Sequence, residues 1–151
     1  MNTKAILTLV AFSFVGVMGL FFLVNPSYQK SIQAKYFFET GNYKEAAALA
    51  KEAFSLDAYN RMAATVMAQS VTALKYVSYI ETGKKYMAEI NAIATHENIL
   101  DADKAKIRIM CEIMNAEYIK LAPSVITDKA LVEETANYHE QFEKLLEKVT
   151  R

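Results

Sequence analysis

Three side chains in the sequence could act as a nucleophile, a base or a metal ligand: Cys111, His96 and His139. Cys111 lies among apolar residues, so we expect a buried and inert thiol. His96 lies beside Glu97 in a predicted turn and could cap a helix or bind a metal. His139 and Glu140 are neighbours on a predicted helix and point about 100° apart. Because the sequence also contains no metal-spaced Cys or His set and no phosphate loop, it predicts a protein without catalytic residues, cofactor or metal, and not an enzyme.

The composition limits the class of protein. The chain has 151 residues, of which 53% are apolar and 23% charged, as expected for one domain with a short appendage. Seventeen basic and seventeen acidic residues give a net charge of zero, which argues against disorder and against nucleic-acid binding. Four glycines, two prolines and one cysteine are too few for an all-β or disulfide-built fold.

The N-terminal segment Ala5–Val24 contains no charged residue. As a helix it would extend about 30 Å, the thickness of the hydrocarbon core of a bilayer, so we expect the lipid bilayer to be its partner. The segment is longer than a secretory signal core of about 7–15 residues, and its last residues, Leu20–Val24, are bulky where a signal peptidase requires small ones. We therefore favour an uncleaved transmembrane anchor over residues 1–25, followed by a helical domain over residues 26–151.

The orientation of this anchor rests on few charges. Lys4 precedes the segment, and Lys30 and Lys35 follow it, so the positive-inside rule is nearly balanced. A short N-terminal tail commonly stays in the cytoplasm. We therefore expect a single-pass protein of the inner (cytoplasmic) membrane with a periplasmic helical domain, while the opposite orientation remains open.

Apolar residues spaced by three and four positions predict an all-α fold after the anchor. Short links between long helices favour antiparallel pairs. Asp101 is a predicted N-cap for the fifth of these helices, and Thr127 or Asp128 for the sixth. The predicted helices are Tyr28–Thr40, Tyr43–Leu56, Ala58–Leu74, Tyr76–Ala94, Ala102–Ala122 and Lys129–Val149.

A repeat pattern occupies the first helix pair. Gly41 suits a left-handed helix end, and the small residues Ala34, Ala46 and Ala53 let two helices approach closely. The pattern resembles the tetratricopeptide repeat, a 34-residue helix–turn–helix unit, over residues 27–60 and fades after them. The matching positions are Ala34, Phe37, Gly41, Tyr43, Ala46, Ala53, Leu56 and Asp57.

The resemblance implies a right-handed solenoid of about three antiparallel hairpins with a concave, protein-binding groove. Family members that clamp a peptide carboxylate carry Lys, Asn and Asn, in that order, where this chain has Ser31, Lys35 and Val66, so the chain departs at all three positions. We therefore expect a helix or an extended segment of a protein partner, and not a chaperone tail. The predicted groove residues are Tyr28, Ser31, Lys35, Phe38, Glu39, Met62, Thr65, Gln69 and Thr72.

The last predicted helix carries a coiled-coil type of seam formed by Leu131, Thr135, Tyr138, Phe142, Leu145 and Val149. One interpretation is a docking helix through which the protein forms a homo-oligomer. The other, which we favour, is a capping helix packed on the preceding pair, because terminal repeats need a polar outer face.

These features predict a membrane-anchored scaffold or assembly factor that binds another protein of the envelope, such as a component of a secretion, pilus or flagellar motor complex. Nine tyrosines give mild support for a partner surface. The alternative is a cytosol-facing receptor for targeting peptides on an organelle membrane. A third class, a small-molecule sensor or enzyme, requires a deep pocket that holds His96, His139 or Cys111.

Overall fold

The computed structural model of the protein describes residues 3–96, 98–123 and 127–150. Over these residues the chain forms six α-helices and no strand, which confirms the all-α prediction. The tetratricopeptide-like solenoid of about three hairpins is not confirmed, since only its first and last predicted helix pairs form as pairs. The helices are α1 (Thr3–Val24), α2 (Pro26–Glu39), α3 (Tyr43–Leu56), α4 (Arg61–Ala94), α5 (Asp101–Ile119) and α6 (Lys129–Thr150).

The chain divides into two compact units, Met1–Val71 and Thr72–Arg151, and the division falls inside α4. The first unit contains α1, α2, α3 and the start of α4. The second contains the rest of α4 with α5 and α6.

The predicted break between Leu74 and Tyr76 is wrong. Helix α4 is continuous over 34 residues, about 51 Å at 1.5 Å per residue. The residues around Lys75 include no glycine or proline that would end a helix. The second predicted hairpin therefore does not form, and α4 begins at Arg61 instead of Ala58.

The link between α2 and α3 forms as predicted. Gly41 has a φ of 81°, a left-handed conformation that glycine adopts at little energetic cost because it has no Cβ. Its N–H donates to the carbonyl of Phe38 at 3.1 Å, and the N–H of Asn42 donates to the carbonyl of Phe37 at 2.8 Å. This pair of bonds is a Schellman motif, which satisfies the last carbonyls of α2.

Small residues bring the helices of the first unit together. Ala34, Ala46 and Ala53 are all 0% exposed, as the sequence predicted. Tyr43 is also buried, and its ring meets the ring of Phe38 edge-on at 5.4 Å. The core of this unit consists of Ala34, Ala46, Ala50 and Val66, with Phe37, Phe38, Leu49 and Met67 packed against it.

Helix α6 closes the core of the second unit with its apolar seam. Phe142 is 0% exposed, and Tyr138, Leu145 and Val149 pack around the same core. This packing favours the capping interpretation, because the seam is already occupied within the chain. The buried core residues are Tyr79, Ile90, Ile93, Ile107, Met110, Cys111, Met114 and Phe142.

The two N-cap predictions have different outcomes. Asp128 precedes α6, and its Oδ1 accepts from the N–H of Ala130 at 2.9 Å, which confirms it as a cap. Asp101 is the first residue of α5 and not its cap. The N-cap residue is Leu100, and its backbone N–H donates to Oδ2 of Asp103 at 3.2 Å. A carboxylate in the first turn of α5 therefore satisfies the backbone N–H of the N-cap residue.

Candidate protein-interaction surface

Helix α1 presents apolar side chains on every side. None of its residues is buried, and its large apolar side chains are between 40% exposed, for Phe22, and 75% exposed, for Phe12. An 18-residue window in the helix has a mean hydropathy of 2.5. By length and composition α1 can therefore cross a membrane.

The junction between α1 and α2 is held by several contacts. Oδ1 of Asn25 accepts from the N–H of Ser27 at 2.9 Å and so caps α2. The ring of Phe22 meets the ring of Tyr28 edge-on, with the centroids 4.7 Å apart. The side-chain amide of Gln29 donates to the carbonyl of Leu23, one of the last carbonyls of α1. These contacts join α1 to α2 through side chains as well as through the backbone.

A buried polar cluster joins the start of α4 to α2. The side-chain amide of Asn60 donates to Oγ of Ser27 at 2.9 Å and to Oγ of Ser31 at 3.2 Å. Its Oδ1 accepts from the N–H of Ala63 at 3.1 Å and caps α4. Oγ of Ser27 in turn donates to the carbonyl of Ala53 in α3 at 2.8 Å. Three helices of the first unit therefore meet at Asn60, which is 0% exposed.

The predicted groove residues differ in how far they are exposed to solvent. Ser31 is 0% exposed, because its hydroxyl belongs to the Asn60 cluster, so it cannot line an open groove in this conformation. Thr72 is half-buried and belongs to the second unit. Lys35, Glu39, Met62 and Thr65 are exposed, whereas Tyr28, Phe38 and Gln69 are half-buried.

Two exposed apolar residues of α2 were not predicted as part of this surface. Ile32 is 55% exposed and Tyr36 is 63% exposed, and they lie four residues apart on one side of the helix. Lys35 and Glu39 share this side, with Nζ and Oε1 3.7 Å apart. The signal was present in the sequence, since both apolar residues lie opposite the buried Ala34 on a helix.

The cysteine and the two histidines, the side chains considered as a nucleophile, base or metal ligand, all belong to the second unit. Cys111 is 0% exposed, and burial, with a smaller effect of Glu112, raises the pKa of its thiol from 9.0 to about 11. Nδ1 of His96 lies 4.0 Å from Oδ2 of Asp103. Among the residues that the structure describes, which do not include Glu97, no three His, Cys, Asp or Glu side chains are grouped as metal ligands.

The second unit contains a cavity with a volume of about 350 Å³. His139 lines it, and the imidazole ring stacks on Tyr118 with the centroids 3.8 Å apart. Cys111 and His96 are not among its lining residues, so this cavity does not unite the thiol with an imidazole. The lining residues are Tyr76, Tyr118, Ile119, Leu121, Pro123, Val132, Thr135 and His139.

Comparison with known proteins adds no relative. Neither a family model, nor a curated protein, nor a solved structure matches this chain. The resemblance to tetratricopeptide repeats therefore rests on the residues of α2 and α3 alone.

Proposed function

We propose that the protein is a membrane-anchored scaffold or assembly factor that binds another protein of the bacterial envelope. The observation that carries this proposal is the combination of a fully exposed apolar helix α1 with a packed helical unit joined directly to it. In water, such a helix would expose sixteen apolar side chains, and a bilayer is the solvent that removes this cost.

The proposed partner surface is the exposed side of α2, together with the exposed predicted groove residues at the start of α4. Ile32 and Tyr36 provide apolar contact area, and tyrosine is enriched in protein interfaces. Lys35 and Glu39 lie beside them and offer both signs of charge. This mixture suits a polypeptide more than a lipid or a nucleic acid, because no excess of either charge accompanies the apolar area.

Anchoring makes a modest surface sufficient. A tether confines the domain and an envelope partner to one thin layer, which raises their effective concentration without any additional contact. The capped junction at Asn25 supports this role, because it holds the start of α2 against the end of α1.

Photo-cross-linking in native membranes tests the proposed partner surface. A benzophenone amino acid at Ile32, Tyr36 or Thr65 is expected to capture the same protein neighbour. The same probe at Lys51, an exposed position of α3, is the matched control and should capture that protein poorly. The proposal fails if the α2 positions capture no protein, or if they capture the same mixture as Lys51.

The buried thiol permits a test of orientation. Because Cys111 is shielded, Lys51→Cys gives a chain with one accessible thiol. A membrane-impermeant maleimide added to spheroplasts should label this variant if the domain is periplasmic. Labelling only after the inner membrane is opened would support the cytosol-facing alternative.

A further inference from the structure

Helix α5 carries a second apolar stripe on the side that faces away from the core. Ile109 is 55% exposed and Ile113 is 40% exposed. On an ideal helix they lie within an arc of about 80° with three alanines, and the stripe is about 21 Å long. The stripe consists of Ala102, Ala105, Ile109, Ile113 and Ala116, all of them exposed.

The charges beside this stripe are ordered along the helix. Lys106 and Arg108 flank its first half and Glu112 and Glu117 flank its second half, whereas Asp101 lies beside its first turn and Lys120 beside its last. A second copy of α5 running in the opposite direction would therefore place each basic residue opposite an acidic one. A parallel copy would place like charges opposite each other, which is unfavourable.

The same antiparallel register matches the apolar residues. When Arg108 lies opposite Glu112 of the second copy, Ile109 lies near Ile113 and Ala105 near Ala116. Isoleucine then meets isoleucine at the centre of the contact and alanine meets alanine toward its ends, at a helix separation within the usual 8–10 Å. From this match of charge and size, we propose that the exposed face of α5 binds a second copy of the chain in antiparallel orientation.

The existing ion pairs do not oppose this contact. Arg108 pairs with Glu112 at 3.0 Å, Lys106 with Glu89 at 3.2 Å and Lys120 with Glu117 at 2.5 Å. These pairs are exposed and contribute little to stability, so exchanging them for pairs with a second copy costs little.

The contact is small, which suits a tethered protein. One helix pair of this length buries less than the roughly 1,200 Å² of a standard stable interface. We therefore expect weak association in dilute solution and stronger association in the plane of a membrane, where α1 confines the copies. The α6 seam offers no such surface, because Phe142 and its neighbours are already packed within the chain.

Disulfide cross-linking of the full-length protein in native membranes tests both the face and the direction. Ala105→Cys and Ala116→Cys chains with different tags are produced together and oxidised. Antiparallel pairing predicts a mixed dimer containing one chain of each kind, and little dimer from either variant alone. Lys104→Cys, exposed on the other side of α5, is the matched control and should give little dimer.

Three results would overturn the proposal. Efficient dimers of each single variant with itself would indicate parallel pairing. Dimer yields as high with Lys104→Cys would indicate random collision. Absence of dimer from every variant would also contradict the proposal.

A charge swap provides a second measurement. Arg108→Glu should reduce the mixed dimer roughly tenfold, and adding Glu112→Arg should restore it. Because Arg108 and Glu112 are exposed, neither variant should change the helical content, and failure of the swap to restore the dimer would contradict the antiparallel register.

Discussion

Asn60→Ala is expected to destabilise the first unit by about 2–3 kcal/mol. The substitution removes an N-cap, which costs about 1 kcal/mol. It also leaves the hydroxyls of Ser27 and Ser31 without the amide group that donates to them, in a site closed to water, which costs about 1–2 kcal/mol more. Both hydroxyls keep an acceptor for their own proton, so the larger estimates for fully orphaned groups do not apply.

Asn42→Ala is the matched control. Asn42 also caps a helix, since its Oδ1 accepts from the N–H of Glu45, but that bond is 3.4 Å long and exposed. We expect a cost of at most about 1 kcal/mol, because water replaces the lost acceptor. The two variants therefore remove the same side chain from the same helical position and differ in burial and in the contacts to α2.

Hydrogen exchange of the full-length protein in detergent micelles measures this difference locally. Amides of α2 and α3 that exchange through opening of the first unit should exchange about a hundredfold faster in Asn60→Ala and at most about fivefold faster in Asn42→Ala. Ser27→Ala combined with Asn60→Ala should cost less than the sum of the single variants, because the two residues share one bond. Equal acceleration in both caps, or full additivity with Ser27→Ala, would show that the buried cluster adds nothing beyond capping.

Three further predictions concern single positions. Gly41→Ala should lower the free energy of unfolding by about 1 kcal/mol in urea titrations, because a φ of 81° is unfavourable for a residue with a Cβ. A steric clash would not contribute, since no atom lies within 4 Å of the added Cβ. Gly83→Val should lower the melting temperature, since a Cβ there would lie 3.1 Å from Cδ1 of Tyr138, and a smaller side chain at Tyr138 should recover part of the loss. Stability should begin to fall above pH 9, because the unfolded thiol of Cys111 ionises at its ordinary pKa of 9.0 while burial raises the pKa of the folded one to about 11. Cys111→Ala should flatten the urea-midpoint profile between pH 9 and pH 10, below the range in which Tyr79 contributes, since burial raises its pKa from 10.0 to about 12.

Local patterns predicted the parts of the fold that depend on neighbouring residues. The α2–α3 hairpin follows from Gly41 and the spaced alanines, and the apolar character of α1 is visible along Ala5–Val24. The continuous helix α4 was missed because two helices were predicted over this stretch although no helix-ending residue lies near Lys75. Propensity was the better guide there.

The Asn60 cluster could not be predicted from spacing. Asn60 and Ser27 are 33 positions apart, and they meet only when α2, α3 and the start of α4 are packed. The sequence indicated only a turn near Asn60. The same packing buries Ser31, so a residue assigned to the groove by helical position became part of the interior. A repeat alignment assigns a residue to a face of a helix, whereas burial also depends on which polar neighbour arrives from elsewhere in the chain.

The contrast between α5 and α6 indicates which amphipathic faces remain for partners. The seam of α6 carries larger apolar side chains than the α5 stripe. It is buried when the chain folds, because large apolar side chains such as Phe142 gain most from leaving water. A face that must stay exposed in the monomer cannot carry many such residues without promoting aggregation. The α5 stripe meets that constraint with three alanines and only two isoleucines, Ile109 and Ile113. The small apolar area of the stripe is therefore suited to the proposed reversible contact between tethered copies.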